Sequence, residues 1–256
     1  MESIVANESR VGNFTSSGIV ALVSMNRKGD GPGEPFYTYI EECLMEQYVG
    51  RTLDSDSDTR ATSWGKLVEK RVLEELLGVE YIPCSRETLT HRDFKFWRGT
   101  PDVSKDNYET IGDAKCPTSI KSFCQLVGPA YDKQLNIIHN PLTIGAVRHN
   151  HKEGDKWYWQ LVSNACITGA KYGELIIYCP YKHELNEIRE LASNYDGNQN
   201  KVAWINWAED YELPFIPKGK NVKNLNIIRF EIPKEDKQFL TDRVIMAGKL
   251  LNRQAA

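Results

Sequence analysis

This chain of 256 residues has no apolar run approaching the roughly 18 residues that a membrane-crossing helix requires, so no membrane span is expected. Its first residues, Met1-Glu2-Ser3-Ile4, offer neither the basic start nor the apolar stretch of a secretory signal, and a cytoplasmic setting is the expectation. There is no excess of positive charge: 32 Lys and Arg face 35 Asp and Glu, a net charge of −3. That argues against broad, tight coating of nucleic acid, although a basic surface confined to one region is compatible with an acidic total. The cysteines are scattered, at 43, 84, 116, 124, 166 and 179, with no C-x-x-C pair. Zinc sites and iron–sulfur clusters need closely spaced thiols or Cys/His groups, so these residues read as buried, reduced thiols. There is no internal repeat and no long low-complexity tract.

What is present is ordinary for a soluble globular protein: 41% hydrophobic and 26% charged residues, in a length that allows one large domain with a real core. The most loop-like stretch is Asn26 to Pro35, with Gly29, Gly31, Pro32, Gly33 and Pro35. Ser193 to Lys201 and Pro217 to Asn224, the latter carrying Lys218, Lys220 and Lys223, read as surface loops of that domain rather than linkers. Phe36, Ile40, Leu44 and Tyr48 recur at helical spacing and predict a helix over 36–49. Leu67, Val68, Val72, Leu76 and Leu77 predict a second, from near Ser63 to a stop at Gly78. Further helices are expected from Pro117 to about Val127, Trp157 to Thr168, Lys182 to about Ala192 and Lys234 to Asn252. Strands are expected at Tyr81 to Pro83, Phe94 to Arg98, Val103, Glu109 to Ala114, Glu174 to Cys179 and Asn226 to Ile232. Strands flanked by helices predict an α/β fold with a central mixed β-sheet flanked by α-helices.

The chemistry concentrates in two short segments, Gly99-Thr100-Pro101-Asp102 and Gly112-Asp113-Ala114-Lys115. If they are adjacent strands of one sheet, two carboxylates and an ammonium meet. Carboxylate oxygens hold hard divalent cations, and a neighbouring lysine can orient a water or steady a developing negative charge. That is the equipment for metal-assisted phosphodiester hydrolysis. Lys115, two residues after Asp113, leaves the strand on the same face; Ala114 points the other way, and its carbonyl is a further oxygen. Glu69 shares a helix face with Gly65 and is the helical contributor, with Glu74 and Glu75 as competitors on a face that otherwise reads as solvent-exposed. Gln160, among Trp157, Tyr158 and Trp159, offers a neutral amide to a water or a phosphate oxygen. Arg10 and Ser17 supply a guanidinium and a hydroxyl suited to phosphate. Taken singly these patterns are common: an Asp after Pro is at home in a turn, and Trp97 and Trp159 pack in cores more often than they stack on bases.

Together the pieces resemble the PD-(D/E)xK nucleases, and within them the phage lambda exonuclease and YqaJ-type viral recombinases. Arg10 to Ser17 is similar to that family's arginine–glycine–threonine–serine opening, and Ser63-Trp64-Gly65-Lys66-Leu67-Val68-Glu69 to its tryptophan–glycine–lysine–x–x–glutamate helix. Thr100-Pro101-Asp102 and Asp113-Ala114-Lys115-Cys116-Pro117 resemble its two catalytic strands, and Tyr158 to Gly169 its glutamine helix, with Leu175 to Pro180 after it. Order and approximate spacing agree from residue 10 to about 181. The resemblance implies a single nuclease domain over 1–256 with a restriction-endonuclease-like core at about 10–181 and a C-terminal strand and helix, 226–252, packed on it. It implies Mg²⁺ or Mn²⁺, and 5′-to-3′ digestion of one strand of duplex DNA with a free end. It also implies a homotrimeric ring and a single-strand annealing partner, in a bacterial or phage-infected cell. Position by position, Glu69, Asp102 and Asp113 with the Ala114 carbonyl would hold metal, Lys115 and Gln160 would orient the water, and Arg10, Ser17 and Thr100 would receive the terminal 5′-phosphate. The chain departs from the pattern at Thr100, where serine is frequent, and at Asp113, where close relatives often carry glutamate. The segment from Ile138 to Lys156 and the loop near residue 30 do not align clearly.

The expected chemistry is in-line attack by a cation-activated water on a phosphodiester. Two other readings stay open: an endonuclease of restriction or repair type on the same core, and a catalytically silent DNA-binding module with a nuclease fold.

Overall fold

A computed structural model describes residues 10–53, 59–84, 88–219 and 222–253. In chain order the elements are β1 (Phe14–Thr15), α1 (Glu34–Val49), α2 (Arg60–Arg71), β2 (Ile82–Pro83), β3 (Leu89–Thr90), β4 (Trp97–Gly99), β5 (Val103–Lys105) and β6 (Thr110–Lys115). There follow α3 (Ile120–Val127), β7 (Ala130–Tyr131), β8 (Ile137–His139), α4 (Ile144–Asn150), α5 (Gly154–Thr168), β9 (Tyr172–Tyr178), α6 (Leu185–Ser193), α7 (Gln199–Val202), α8 (Trp204–Trp207), β10 (Leu225–Glu231) and α9 (Lys234–Arg253).

Capping hydroxyls, rather than hydrophobic periodicity alone, decide where helices begin. Thr59 accepts from the Thr62 N–H at 3.2 Å and starts α2 ahead of Ser63. Ser119 accepts from the Ser122 N–H at 3.1 Å, so α3 begins after Pro117 rather than at it. Gly78 does not end the second helix. α-Helical bonding gives way to a π turn over Val72–Leu76, and Leu77 is already extended. Gly169 does end α5, in the left-handed conformation at φ 84° that costs glycine little. Of the expected lysine loop, Lys220 lies outside the described residues.

The main sheet runs β10-β9-β6-β5-β2. β6 and β9 are parallel, with Asp113 beside Leu175, while β9–β10 and β5–β6 are antiparallel; the sheet is mixed and flanked by helices. Side chains alternate across it. Ile111, Leu175, Ile177 and Ile228 join one buried layer with residues of α1, α5 and α9. Val103, Ala114, Ile176 and Tyr178 join another with Trp64, Leu67 and Val68 of α2 and Leu185 and Ile188 of α6. A second sheet, β1-β4-β3, lies against α5. Its packing on that helix is tight: the Trp97 indole N–H donates to Ser163 Oγ at 2.8 Å, and Ser16 Oγ lies 2.8 Å from the same oxygen.

Gly99 marks the closest approach between this sheet and α5. A Cβ there would stand 2.3 Å from both Asn164 Oδ1 and Ser16 Oγ, side chains that are 0% and 3% exposed and have little room to yield. Gly99→Ala should therefore destabilise the fold by about 1–3 kcal/mol, read from the midpoint of denaturant unfolding; an unchanged midpoint would refute the packing argument.

Candidate active site

β6 is longer than the neighbour that pairs with it. β5 reaches only Gly112 in register, so the edge of β6 beyond that point lacks a strand partner on this side. The turn after Pro101 fills the gap. The Asp102 N–H donates to the Gly112 carbonyl at 3.0 Å, and Asp102 Oδ2 accepts from the Ala114 N–H at 2.7 Å. The Asp102 carboxylate thereby replaces a ladder partner and is held next to Asp113.

Asp113 is 1% exposed. The Gln160 amide of α5 donates to its Oδ1 at 2.8 Å, and Lys115 Nζ contacts its Oδ2. Lys115 leaves β6 on the same side as Asp113, as period-two geometry requires, and its ammonium lies 5.6 Å from the centre of the Trp157 ring. The Ala114 side chain is buried in the opposite layer. Glu69, half-buried on α2, feels both Asp113 and Lys115. Gly65 adds nothing to this arrangement, because a Cβ there would meet open space. Of the competing carboxylates, Glu75 pairs with Arg71 at 3.5 Å, and Glu74 lines an open cleft of about 730 Å³ together with Glu69 and Lys66.

The electrostatics of this group are strained. Burial pushes Glu69 up from 4.5 to about 7, with the Asp113 charge adding to the rise and Lys115 and Lys66 opposing it. Asp102 is also raised well above its ordinary value, by burial first and then by Asp113 and Glu69, against Lys115 and the Ala114 N–H. Burial alone would lower Lys115, but Asp113, Asp102 and Glu69 outweigh it and hold the ammonium charged. One cation among three carboxylates leaves negative charge in excess. The donors are oxygens, Asp113 Oδ2 is met by the Lys115 ammonium, and the remaining repulsion would be relieved by added positive charge. That donor chemistry fits a hard divalent cation. Among the described residues, no three His, Cys, Asp or Glu side chains already stand at metal-holding spacing.

The phosphate-suited residues form a separate group. Arg10 Nη2 donates to Ser17 Oγ at 2.8 Å, and Thr15 Oγ1 lies 3.2 Å from that oxygen. They line a cleft of about 920 Å³ beside α1, which Lys156 of α5 also reaches. Tyr39, whose hydroxyl accepts from the Thr15 N–H at 2.8 Å, belongs to this wall and was not expected from the sequence. Thr100 is bonded elsewhere, with Thr88 Oγ1 at 3.2 Å. Helix α5 connects the two groups: Gln160 reaches Asp113, and Ser163, one turn on, meets Ser16. Trp97 and Trp159 are core residues, 0% and 9% exposed.

Glu69 gives the site a pH signature. Its folded pKa, about 7, exceeds 4.5, so the folded state holds the proton more tightly. Its stabilising contribution is complete below the lower value and lost as pH rises through the upper one. In EDTA the protein should lose about 1–2 kcal/mol between about pH 5 and 8 on this account, and Glu69→Gln should abolish most of that loss. Thermal unfolding at both pH values checks this; identical pH dependence in the two proteins would contradict it.

No family model matches the chain, and no curated protein matches it by sequence. Solved structures do match in fold. A phage-related exonuclease from Haemophilus somnus superposes with a TM-score of 0.57 at 12% identity, over 95% of this chain and 95% of that one. LHK-Exo in complex with dAMP gives 0.55 at 12% identity, over 96% and 91%. The alkaline exonuclease LHK-Exo from Laribacter hongkongensis gives 0.51 at 11% identity, over 96% and 93%. Across nearly its whole length, this chain has the fold of the phage-related alkaline exonucleases.

Proposed function

We propose that this protein is a metal-dependent DNA exonuclease that resects linear duplex DNA from its 5′ end. The observation that carries the reading is the cluster at the uncovered edge of β6: Asp102 locked to the Ala114 N–H, Asp113 held by Gln160, and Lys115 against Asp113. It lies on a fold whose solved neighbours are exonucleases, one of them holding dAMP, a nucleoside monophosphate.

In this reading Glu69, Asp102 and Asp113, with the Ala114 carbonyl, hold Mg²⁺ or Mn²⁺. When bound, the cation lowers the pKa of a water and neutralises charge developing on the phosphate. The chain's own groups do the rest. Gln160 fixes the rotation of the Asp113 carboxylate through Oδ1. Lys115, kept charged by its neighbours, orients the attacking water and meets the developing negative charge. Arg10 and Ser17, already joined by a hydrogen bond, receive the terminal 5′-phosphate; Thr100 takes part if its hydroxyl exchanges Thr88 for a phosphate oxygen. The further expectations, a homotrimeric ring and a single-strand annealing partner, belong to the same reading.

Asp113→Asn, which preserves shape and the bond to Gln160, should lower release of nucleotides from linear duplex DNA in Mg²⁺ by about a hundredfold or more; Lys115→Ala should do likewise. Full turnover in the folded Asp113 variant would reject the mechanism. Circular duplex DNA should survive, and its cleavage would favour an endonuclease. Arg10→Ala should slow digestion of 5′-phosphorylated ends about tenfold or more and dephosphorylated ends little; an equal effect on both would remove the phosphate role.

A further inference from the structure

Two neighbouring clefts share Thr118 in their walls, just past Lys115-Cys116-Pro117. The first, about 770 Å³, lies between the start of α3 and the α4–α5 connection. Lys121, Arg148, His149, His151 and Lys152 line it, with one carboxylate, Asp155. That carboxylate accepts from Arg148 Nε at 2.7 Å, so the balance of the cleft is basic. A chain of neighbouring groups joins it to the candidate active site. Ser122 Oγ lies 2.9 Å from His151 Nε2, the His151 ring stacks on Trp157 at 4.4 Å, and Lys115 Nζ lies 5.6 Å from the centre of that indole.

The second cleft, about 570 Å³, is aromatic: Trp204 and Trp207 line it with Arg60 and Glu212. Trp207 is 84% exposed. The Arg60 guanidinium stands 5.3 Å from the Trp204 ring centre, and the buried Trp204 indole N–H has no hydrogen-bond partner. The acidic groups nearby are engaged. Asp210 is paired with Arg189 at 2.8 Å and Lys182 at 3.6 Å, and Glu212 accepts from the Glu209 N–H at 2.9 Å.

A flat, solvent-facing indole in a cleft next to a row of cations is the combination that holds single-stranded nucleic acid, whose bases stack while its phosphates follow the charge. A duplex cannot use it in the same way, because paired bases have no free face except at an end. We propose that the two clefts bind unpaired DNA, with a base stacked on Trp207 and neighbouring phosphates on Lys121, Arg148 and Lys152. The groove thereby guides one strand past Lys115. That last role rests on the nuclease reading; the binding itself does not.

The test is fluorescence anisotropy in EDTA, where nothing is hydrolysed, with a labelled oligothymidylate of about 12 nucleotides and a blunt duplex as probes. Wild type should bind the oligonucleotide. Trp207→Ala should weaken that binding about tenfold and duplex binding much less, and Trp207→Phe should restore most of it. Replacing Lys121 and Lys152 together with alanine should also weaken it and flatten its salt dependence, by about 0.7 in logarithmic slope for each phosphate no longer neutralised. Wild type that ignores the oligonucleotide, unaltered affinity in Trp207→Ala, or equal losses on both probes would overturn the proposal. The two readings separate cleanly. A protein that needs Trp207 for oligonucleotide binding but never degrades DNA in Mg²⁺ keeps the groove and loses the nuclease. One that degrades linear duplex with no such need does the reverse.

Discussion

The hydrogen bond from the Ala114 N–H to Asp102 Oδ2, 2.7 Å long, is the constraint on which the rest depends. β6 continues beyond the register of β5, so its backbone needs a partner that no strand supplies. An unmet buried N–H costs about 1–3 kcal/mol. The chain meets it with a carboxylate, which is a stronger acceptor than a carbonyl. The consequence is chemical as well as structural. Closing the sheet edge requires a charged group at the spot where Asp113 is buried, so sheet completion and acidic clustering come from the same side chain.

Helix α5 then sets the scale of the site. Gln160 and Ser163 share a helix face at i,i+3 spacing; one holds Asp113 and the other holds Ser16 and Trp97. The N-terminal group of Arg10 and Ser17 and the carboxylate group belong to different sheets, and neither sheet alone fixes their separation. A single helix bonded to both does so. This explains why the helix carries a fully buried serine, Ser163. Its hydroxyl is the fastener to the second sheet, and the absence of a side chain at Gly99 leaves room for the helix to approach.

Much of this was legible in sequence because it depends on local periodicity. Asp113 and Lys115 share a face because strands alternate, and β6, β9, β10 and α9 announce themselves through long regular patterns. The two-residue strands β1, β3 and β7 carry too few residues for a pattern, and their pairing is decided by chain segments far away, whereas the strand expected at Tyr81 to Pro83 is found as β2. Helix starts shifted by about three residues because one hydroxyl, at Thr59 or Ser119, outweighs the periodicity that follows it. Gly65 shares a helix face with Glu69, but a Cβ there would meet open space, so the shared face carries no information about the site. Thr100 shows the opposite limit: a hydroxyl in the right sequence position has found another partner, Thr88. The stacking of His151 on Trp157 had no sequence signal, since it joins the end of α4 to the first turn of α5 across a connection whose shape no local rule specifies.

The acidic total is less of an obstacle to a polyanionic ligand than it first looks. The net charge of −3 equals the formal charge of Glu69, Asp102 and Asp113; without them the chain is neutral. Three of the 35 acidic side chains gather where a divalent cation is proposed to sit, and cationic side chains gather in the groove beyond Trp157. Occupancy by a divalent ion would bring those three carboxylates and Lys115 from a formal charge of −2 to zero. Phosphate is therefore repelled from the centre until the cation arrives, while the groove attracts it regardless. On this reading a strand can be held beside an unloaded centre, and loading controls whether its phosphate can approach the carboxylates.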